Sequence, residues 1–212
     1  MNFTSFKTQH QYAPLILSKA LLNKKVNRQS ILNQLNRWHD KHLIVKLRRG
    51  IYLLNEDDRK IKPNEIFLAN QLYTHSYVSL EYALDYYGLL NKKPTAVTSV
   101  TIKKTAQFTN SEGRFLYKHI KPEAFQGFEI HKDKHGLIYR LAYPEKALVD
   151  FIYLNQNQKD FSNHYEVCKI FSMKNLLKLS RRKILDFAQL FMNQKLKRSV
   201  EAVWKSHSAT QN

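Results

Sequence analysis

Basic and amide side chains between residues 28 and 37 have the functional groups needed to bind a nucleic acid. Arginine, glutamine and asparagine can each form two parallel hydrogen bonds to a base edge in the major groove of duplex DNA. No acidic residue interrupts this segment before Asp40. If the segment is a helix, its polar side can contact DNA through Arg28, Gln29, Ser30, Asn33, Asn36 and Arg37.

A second basic cluster follows within a predicted hairpin. Residues 43–54 are rich in apolar and β-branched side chains, and Gly50 can supply the positive φ that a tight turn needs. The pattern predicts strands at 43–48 and 51–54, with basic residues near the tip that can contact phosphates. The full set of predicted DNA-binding residues is therefore Arg28, Gln29, Ser30, Asn33, Arg37, Lys46, Arg48 and Arg49.

The elements around these residues must hold both clusters in place. The sequence predicts a helix at 15–22, a polar turn at Asn23–Lys25 and a longer helix capped by Asn27. In the longer helix, Ile31, Leu35 and Trp38 are spaced to form a buried stripe. Helices followed by a basic hairpin predict a winged helix-turn-helix. The alternative interpretation is a solvated helix beside an ordinary basic hairpin.

The net charge favours a polyanionic partner. The chain has 35 Lys and Arg against 17 Asp and Glu, a formal net charge of +18. Residues 1–60 contain 12 basic and 4 acidic side chains, and residues 159–212 contain 11 and 4. Cationic side chains near phosphates gain from counterion release, so this distribution is typical of nucleic-acid binding. A scattered positive surface without a partner is the competing explanation.

Composition also excludes several classes of protein. A single cysteine, Cys168, excludes a disulfide scaffold and a zinc site built on thiolate pairs, and we expect it to be a small core side chain. No apolar stretch approaches the roughly 20 residues that span a bilayer. The first residues also lack the apolar core of a secretory signal. We therefore expect a cytoplasmic protein that does not bind membranes.

The remainder of the chain predicts a second domain. The polar segment 55–63 is the expected boundary, which gives domains at 1–58 and 59–212. Three helices are predicted in this domain. The first covers residues 64–73, the second is capped by Ser79 and ends at Gly88, and the third begins at Pro144. A period of two predicts a small antiparallel sheet, and hence an α+β fold, from strands at 96–102, 114–120, 127–131 and 137–142.

The C-terminal tail is predicted to be a long basic helix capped by Ser180. Its expected apolar face consists of Ile184, Leu185, Ala188, Phe191 and Met192. Basic residues from Lys195 to Arg198 are expected in its last turn, where they complement the helix dipole. Arg181–Lys183 lie at the unfavourable end, which favours an acidic or polyanionic partner.

We find no strong signature of catalysis. Four potential metal ligands alternate near residue 130, and on a regular strand they would share one face: Glu129, His131, Asp133 and His135. However, residues 132–136 have the composition of a turn, which would separate the last two side chains. Glu145 and Asp150 are explained by an amphipathic helix. The sequence thus predicts no catalytic residue, no metal and no cofactor.

Four segments together resemble the AbiEi-type antitoxin family, predicted transcriptional regulators of bacterial phage-defence systems. They are RWHDKHLIVKLRRGIYLL, SYVSLEYALDYYGLL, TSVTIKKTAQF and LAYPEKALVDFIYL, and the resemblance covers residues 14–155. It implies a type IV toxin–antitoxin protein whose winged helix binds promoter DNA and represses its own operon. It also implies that the following domain counteracts a nucleotidyltransferase-type toxin without requiring a stable complex.

The resemblance transfers to particular positions of this chain. It implies DNA contact at Arg28, Gln29, Asn33, Arg37, Lys46, Arg48 and Arg49. For antitoxin action it indicates only the segments Ser76–Gly88 and Tyr143–Asp150. One position departs from the family, because related sequences usually have glycine where this chain has His42. A left-handed helix end on a non-glycine residue costs on the order of 1 kcal/mol, so the angle of the hairpin depends on how His42 ends the helix.

Three hypotheses follow. The first is a DNA-binding antitoxin and autorepressor without enzymatic activity, whose partners are double-stranded DNA and a nucleotidyltransferase toxin, with no small-molecule substrate. The second is a stand-alone transcriptional regulator. The third is a metal-dependent nuclease targeted by the N-terminal unit.

Overall fold

The computed structural model of the chain describes residues 2–22 and 27–208, with side chains to residue 206. The fold is mixed, with helices, a small antiparallel sheet and a larger mixed sheet. The polar turn predicted at Asn23–Lys25 lies outside the described residues. None of the helices in the described part of the chain is long and apolar enough to cross a bilayer.

Helices and short strands alternate in the N-terminal part. The predicted helix at 15–22 is wrong over its first residues, because Ile16 pairs with Tyr52 and Leu17 with Ile51 in an antiparallel sheet. The sheet has the strand order β1-β3-β2. The elements are α1 (Phe3–His10), β1 (Ile16–Leu17), α2 (Ser18–Leu21), α3 (Arg28–Asp40), β2 (Ile44–Arg48) and β3 (Ile51–Leu54).

Helix α3 follows its sequence prediction closely. Ile31, Leu35 and Trp38 are buried in a small core beneath it. The Trp38 ring packs against two aromatic rings of α1, with centroids 4.6 Å from Phe6 and 5.4 Å from Phe3. This aromatic contact fixes the side of α3 that faces the protein.

The remainder of the chain contains the larger sheet and the other helices. A 3-10 turn at Pro122–Ala124 lies between the strands Gly113–His119 and Phe128–Lys132. The elements are α4 (Glu65–Leu72), β4 (Ser76–Val78), α5 (Leu80–Tyr86), β5 (Val97–Thr101), β6 (Ala106–Asn110), β7 (Gly113–His119), β8 (Phe128–Lys132), β9 (Ile138–Ala142), α6 (Pro144–Asn155), α7 (His164–Ile170), α8 (Met173–Leu176), α9 (Arg181–Gln189) and α10 (Gln194–Ser208).

The larger sheet differs from the small antiparallel sheet that was predicted. It has six strands in the order β6-β7-β5-β4-β9-β8, and the pairs β4–β9 and β5–β7 are parallel. The four predicted strands are confirmed as β5, β7, β8 and β9. The prediction missed β4, which has three residues, and β6. Periodicity indicates that a segment is extended but not which strand it pairs with, so the parallel pairs could not be predicted from it.

Strand β3 packs into two cores at once. Tyr52 and Leu54 belong to the small core under α3, whereas Ile51 and Leu53 belong to the large core of the second part of the chain. Leu47 of β2 also enters the large core. The hairpin is therefore buried on both faces, and the boundary at residue 58 stays a prediction.

Helix α6 begins at Pro144, as predicted, but it is not amphipathic. Every residue from Glu145 to Ile152 is buried. The attribution of Glu145 and Asp150 to a polar helix face is therefore wrong. Glu145 accepts a hydrogen bond from the Ser180 amide (3.1 Å), and Asp150 forms an ion pair with Lys146 one turn earlier.

The Lys146–Asp150 pair is surrounded by hydrogen bonds and aromatic rings. Asp150 Oδ2 accepts hydrogen bonds from the Tyr77 hydroxyl (3.0 Å) and the Ser79 hydroxyl (2.8 Å). Ser79 stands at the N-cap position of α5 as predicted, but its hydroxyl bonds Asp150 and makes no capping hydrogen bond. Gly88 ends that helix region with φ +66°, as expected. The Lys146 ammonium lies 4.9 Å from the Phe191 ring centroid. No part of the Lys146 or Asp150 side chain reaches solvent, so the cluster holds α6 against β4.

Burial and pairing act in opposite directions on the titration of this cluster. Burial lowers the pKa of Lys146, and it raises the pKa of Asp150. In each case the partner's charge opposes the shift, because each ion stabilises the charged form of the other. Burial and the Asp150 carboxylate raise the pKa of Tyr77, so its hydroxyl stays a donor.

The C-terminal tail is two helices and not one. Ser180 caps α9 as predicted, and its hydroxyl accepts a hydrogen bond from the Lys183 amide (3.4 Å). Ile184, Ala188 and Phe191 are buried, but Met192 is 85% exposed and left-handed, with φ +45°. The helix breaks there, and residues 195–198 lie in the first part of α10. They do not complement the end of α9, so that explanation of their charge is wrong.

Cys168 also differs from its prediction. It is partly exposed, and its Sγ lies 3.5 Å from Nε2 of His164, one turn earlier on α7. It is therefore not the core side chain that the composition led us to expect.

The buried ion pair generates a prediction about stability. Lys146→Met should lower the free energy of unfolding by about 3–5 kcal/mol, because it leaves the Asp150 carboxylate buried without its counter-ion. Urea denaturation followed by circular dichroism measures this change. The control is Lys178→Met at an exposed position, which should change the free energy by no more than about 0.5 kcal/mol. Equal losses in the two variants would contradict the prediction.

Candidate nucleic-acid interface

The side of α3 opposite the small core is polar and exposed. Gln29, Asn33 and Arg37 follow one another at intervals of one helical turn on this side. The surface consists of Arg28, Gln29, Ser30, Asn33, Asn36 and Arg37, all of them exposed. We call these six residues the α3 surface. The predicted polar face of this helix is therefore confirmed as exposed to solvent.

Local hydrogen bonds order the first turns of the α3 surface. Asn27 caps the helix, as predicted, and its Oδ1 accepts from the Gln29 amide (2.8 Å). Gln29 Nε2 then donates to Asn33 Oδ1 (2.8 Å), which holds the two amides side by side. Among the described residues, no other hydrogen bond uses Gln29 Oε1 or Asn33 Nδ2. One acceptor on Gln29 and one donor on Asn33 are therefore left over on two exposed side chains, which is the combination that an adenine edge requires.

His42 ends α3 in the left-handed conformation. Its φ is +55°, and the amide of Leu43 donates to the carbonyl of Trp38 (2.9 Å). This is the usual hydrogen bond of a left-handed helix end. The non-glycine residue therefore keeps the expected geometry, at a cost on the order of 1 kcal/mol. The chain enters β2 directly afterwards.

A β-bulge separates the basic residues of the hairpin. Lys46 pairs with Tyr52 and Arg48 with Ile51, so Leu47 is an extra residue in β2. In a regular strand Lys46 and Arg48 would lie on the same face. The bulge turns Arg48 to the face of Ile51, toward the large core.

Arg48 is therefore partly buried and bound to other parts of the chain, and its predicted contact with DNA stays a prediction. Its Nη1 donates to the carbonyl of Leu72 at the end of α4 (2.5 Å). Its guanidinium also lies 5.3 Å from the centroid of the Phe108 ring on β6. Both contacts join the hairpin to the second part of the chain, so Arg48 has a structural role.

Other contacts reinforce the same junction. Asn110 Nδ2 at the end of β6 donates to the Leu47 carbonyl (3.1 Å). Arg59 Nη2 pairs with Glu112 (3.1 Å), and only 5% of the Arg59 side chain is exposed. Sequence reasoning missed these residues because their partners lie 53 and 63 positions away and no local pattern marks them.

The tip of the hairpin still presents a cation. Arg49 is exposed and Lys46 is partly buried. Burial raises the pKa of Tyr52, and the positive charge of Arg49 opposes that shift. Of the eight predicted DNA-binding residues, six are thus exposed: Arg28, Gln29, Ser30, Asn33, Arg37 and Arg49.

The four potential metal ligands near residue 130 do not converge. Asp133 accepts hydrogen bonds from the amides of His135 (2.8 Å) and Leu137 (2.9 Å) and from the Asn64 side chain (3.0 Å). Burial alone would raise the pKa of Asp133, but these hydrogen bonds together lower it. Glu129 and His131 approach to 3.4 Å. Within the described residues, no three His, Cys, Asp or Glu side chains are grouped closely enough to hold a metal ion.

The two segments that the resemblance assigns to antitoxin action meet in the protein interior. Ser76–Leu80 are buried, and they contact α6 through the Asp150 hydrogen bonds. Residues 145–150 are buried as well. Most residues of these two segments therefore belong to the core, whereas the exposed side of α5, which includes Asp85 and Tyr86, reaches the surface.

No protein-family model matches the chain, and no curated protein is significantly similar to it.

The different surroundings of the two neighbouring arginines generate a prediction. Arg48→Ala should lower the free energy of unfolding by about 1–3 kcal/mol, because it removes a charged hydrogen bond and leaves the Leu72 carbonyl without that donor. Arg49→Ala should change it by less than about 0.5 kcal/mol, since Arg49 is exposed. Chemical denaturation of the two variants makes the comparison, and an equally stable Arg48→Ala variant would show that the junction does not depend on this contact.

Proposed function

We propose that the chain binds duplex DNA with helix α3, represses transcription of its own operon and acts as an antitoxin. The observation that carries the DNA-binding part is the α3 surface. It combines arginines with a paired glutamine and asparagine, and it is exposed on a helix that aromatic packing holds in place.

The order of elements supports a winged helix-turn-helix. Three helices precede the β2–β3 hairpin, and β1 completes a three-stranded sheet. In such units the last helix enters the major groove and the hairpin contacts the flanking backbone. In this proposal α3 contacts the bases, and Arg49 at the hairpin tip contacts phosphate.

Charge supports the same interpretation. The α3 surface contains two arginines and no acid, and Arg49 adds a third cation. An overall charge of +18 also attracts DNA at long range. Binding to a promoter implies a cytoplasmic location, and the proposal requires neither a cofactor nor catalysis.

Resemblance to AbiEi-type antitoxins supports the second part of the proposal. The four matching segments include residues of both cores and of the hairpin. The partner in this proposal is a nucleotidyltransferase-type toxin. Because the matching segments 76–88 and 143–150 are largely buried, we propose that they maintain the domain while surface residues act on the toxin or its target.

DNA binding is tested with two variants of different expected behaviour. Arg49→Ala should weaken binding to specific and non-specific duplexes alike and reduce the slope of log K against log salt by about 0.9, as expected for the loss of one phosphate contact. Asn33→Ala should instead reduce discrimination between the operator and other DNA by about 1–3 kcal/mol. Fluorescence anisotropy with the upstream region of the gene, at several salt concentrations, measures both effects.

The matched control for these measurements is Lys178→Ala, an exposed lysine far along the chain from α3. Its affinity should match that of the unmodified protein. If Arg49→Ala and Lys178→Ala have the same salt dependence, the hairpin tip does not contact DNA. If the unmodified protein fails to bind its upstream region at low salt, the DNA-binding proposal is wrong.

The antitoxin part is tested by co-expression with the product of the neighbouring gene. We expect the neighbouring product alone to arrest growth and the full chain to restore it. Arg49→Ala should still restore growth when both genes are expressed from an unrelated promoter, because neutralisation is assigned to the second part of the chain. A neighbouring product that does not impair growth would leave a stand-alone regulator as the better description.

A further inference from the structure

A cleft of about 820 Å³ opens on the second part of the chain. Five separate segments line it: the first turn of α4 with the connection before it, helix α5, the loop before β5, the β6–β7 turn and the β8–β9 turn. Its size is that of a pocket for a small organic ligand. It lies outside the α3 surface and the buried ion pair.

Three cations of the cleft have no partner among the described residues, whereas a fourth, Lys62, is paired with Glu56. Lys93, Arg114 and Lys134 line the cleft from three different segments, and all three are exposed. Among the described residues, no hydrogen bond or ion pair occupies their side chains. They are therefore available to an anion that enters the cleft.

Two of the acids in the cleft are already engaged. Glu65 accepts a hydrogen bond from the Tyr82 hydroxyl (2.9 Å), and burial together with that bond raises the pKa of Tyr82. Glu112 is paired with the buried guanidinium of Arg59 (3.1 Å). Asp85 is the remaining acid of the lining. The balance of unpaired charge in the cleft is thus positive.

The cleft also presents an aromatic ring. Tyr86 is 56% exposed, and Tyr87 holds it edge to face with ring centroids 5.2 Å apart. Tyr87 is itself fixed by a hydrogen bond from its hydroxyl to the Ala142 carbonyl (2.9 Å). Tyr86 is therefore a positioned ring with area left to stack on a flat ligand, and stacking on tyrosine is favourable for any nucleobase.

We propose that this cleft binds a mononucleotide. Its phosphates would contact Arg114, Lys93 and Lys134, since arginine pairs with phosphate through two hydrogen bonds and lysine acts as a point charge. Its base would stack on Tyr86. The sequence predicted no small-molecule ligand, because residues from five distant segments form this cleft only after folding.

The test uses the full chain at physiological salt and a fluorescent N-methylanthraniloyl derivative of ATP. We expect saturable binding with one nucleotide per chain. Arg114→Ala and Tyr86→Ala should each weaken binding at least tenfold, whereas Lys178→Ala should leave it unchanged within twofold. Unlabelled ATP should displace the probe at least tenfold better than inorganic tripolyphosphate or a short single-stranded oligonucleotide.

Specific outcomes would overturn the proposal. Absence of saturable binding, or equal weakening by Lys178→Ala, would mean that only the net charge attracts the probe. If tripolyphosphate competes as well as ATP, the base does not contribute to binding. If the oligonucleotide competes better than ATP, the cleft binds nucleic acid and not a mononucleotide. Arg49→Ala should bind the nucleotide normally, so that failure of the cleft and failure of the DNA-binding proposal are distinguishable. Thermal unfolding of the Arg114→Ala and Tyr86→Ala variants confirms that they fold.

Discussion

Burial of the β2–β3 hairpin on both of its faces is the constraint on which the arrangement of this protein depends. Tyr52 and Leu54 pack under α3, and Ile51 and Leu53 pack into the large core. A strand that alternates between two cores cannot shift by one residue without exchanging both sets of side chains. Its register therefore fixes the position of α3 relative to the larger sheet. Helix α3 packs on this strand through the small core, so its position is coupled to that of the larger sheet.

This arrangement buries polar groups where the two parts of the chain meet, and these groups need hydrogen-bond partners within the protein. Arg48, Asn110 and the Arg59–Glu112 pair supply hydrogen bonds where the hairpin meets the β6–β7 hairpin. The charges of Arg48, Arg59 and Glu112 thus have partners within the protein. The bulge at Leu47 makes this division possible, because it directs Arg48 inward while Arg49 stays outside. Net charge alone therefore overstates how many cations can contact a polyanion.

The second part of the chain is organised around a buried ion pair. Lys146 and Asp150 link α6 to β4 through the hydroxyls of Tyr77 and Ser79, and aromatic rings surround the ammonium. This explains why two of the segments that resemble AbiEi-type antitoxins are largely hidden: they meet at the pair. The side chains of the cleft beside Tyr86 are accessible, so they can contact a ligand directly.

The sequence by itself determined the local elements. The Asn27 cap, the stripe of Ile31, Leu35 and Trp38, the Pro144 helix start and the four main strands all follow from spacing within a few residues. The exposed polar side of α3 follows from the same periodicity. Only the tertiary structure decided that Arg48 serves the junction, that Asp150 is buried with Lys146, and that β4 and β9 run parallel. The Arg48 contacts and the strand pairing depend on partners from distant parts of the chain. The Lys146–Asp150 pair is local, but distant segments bury it. Local periodicity contains no information about which distant segments will meet, so it could not predict them.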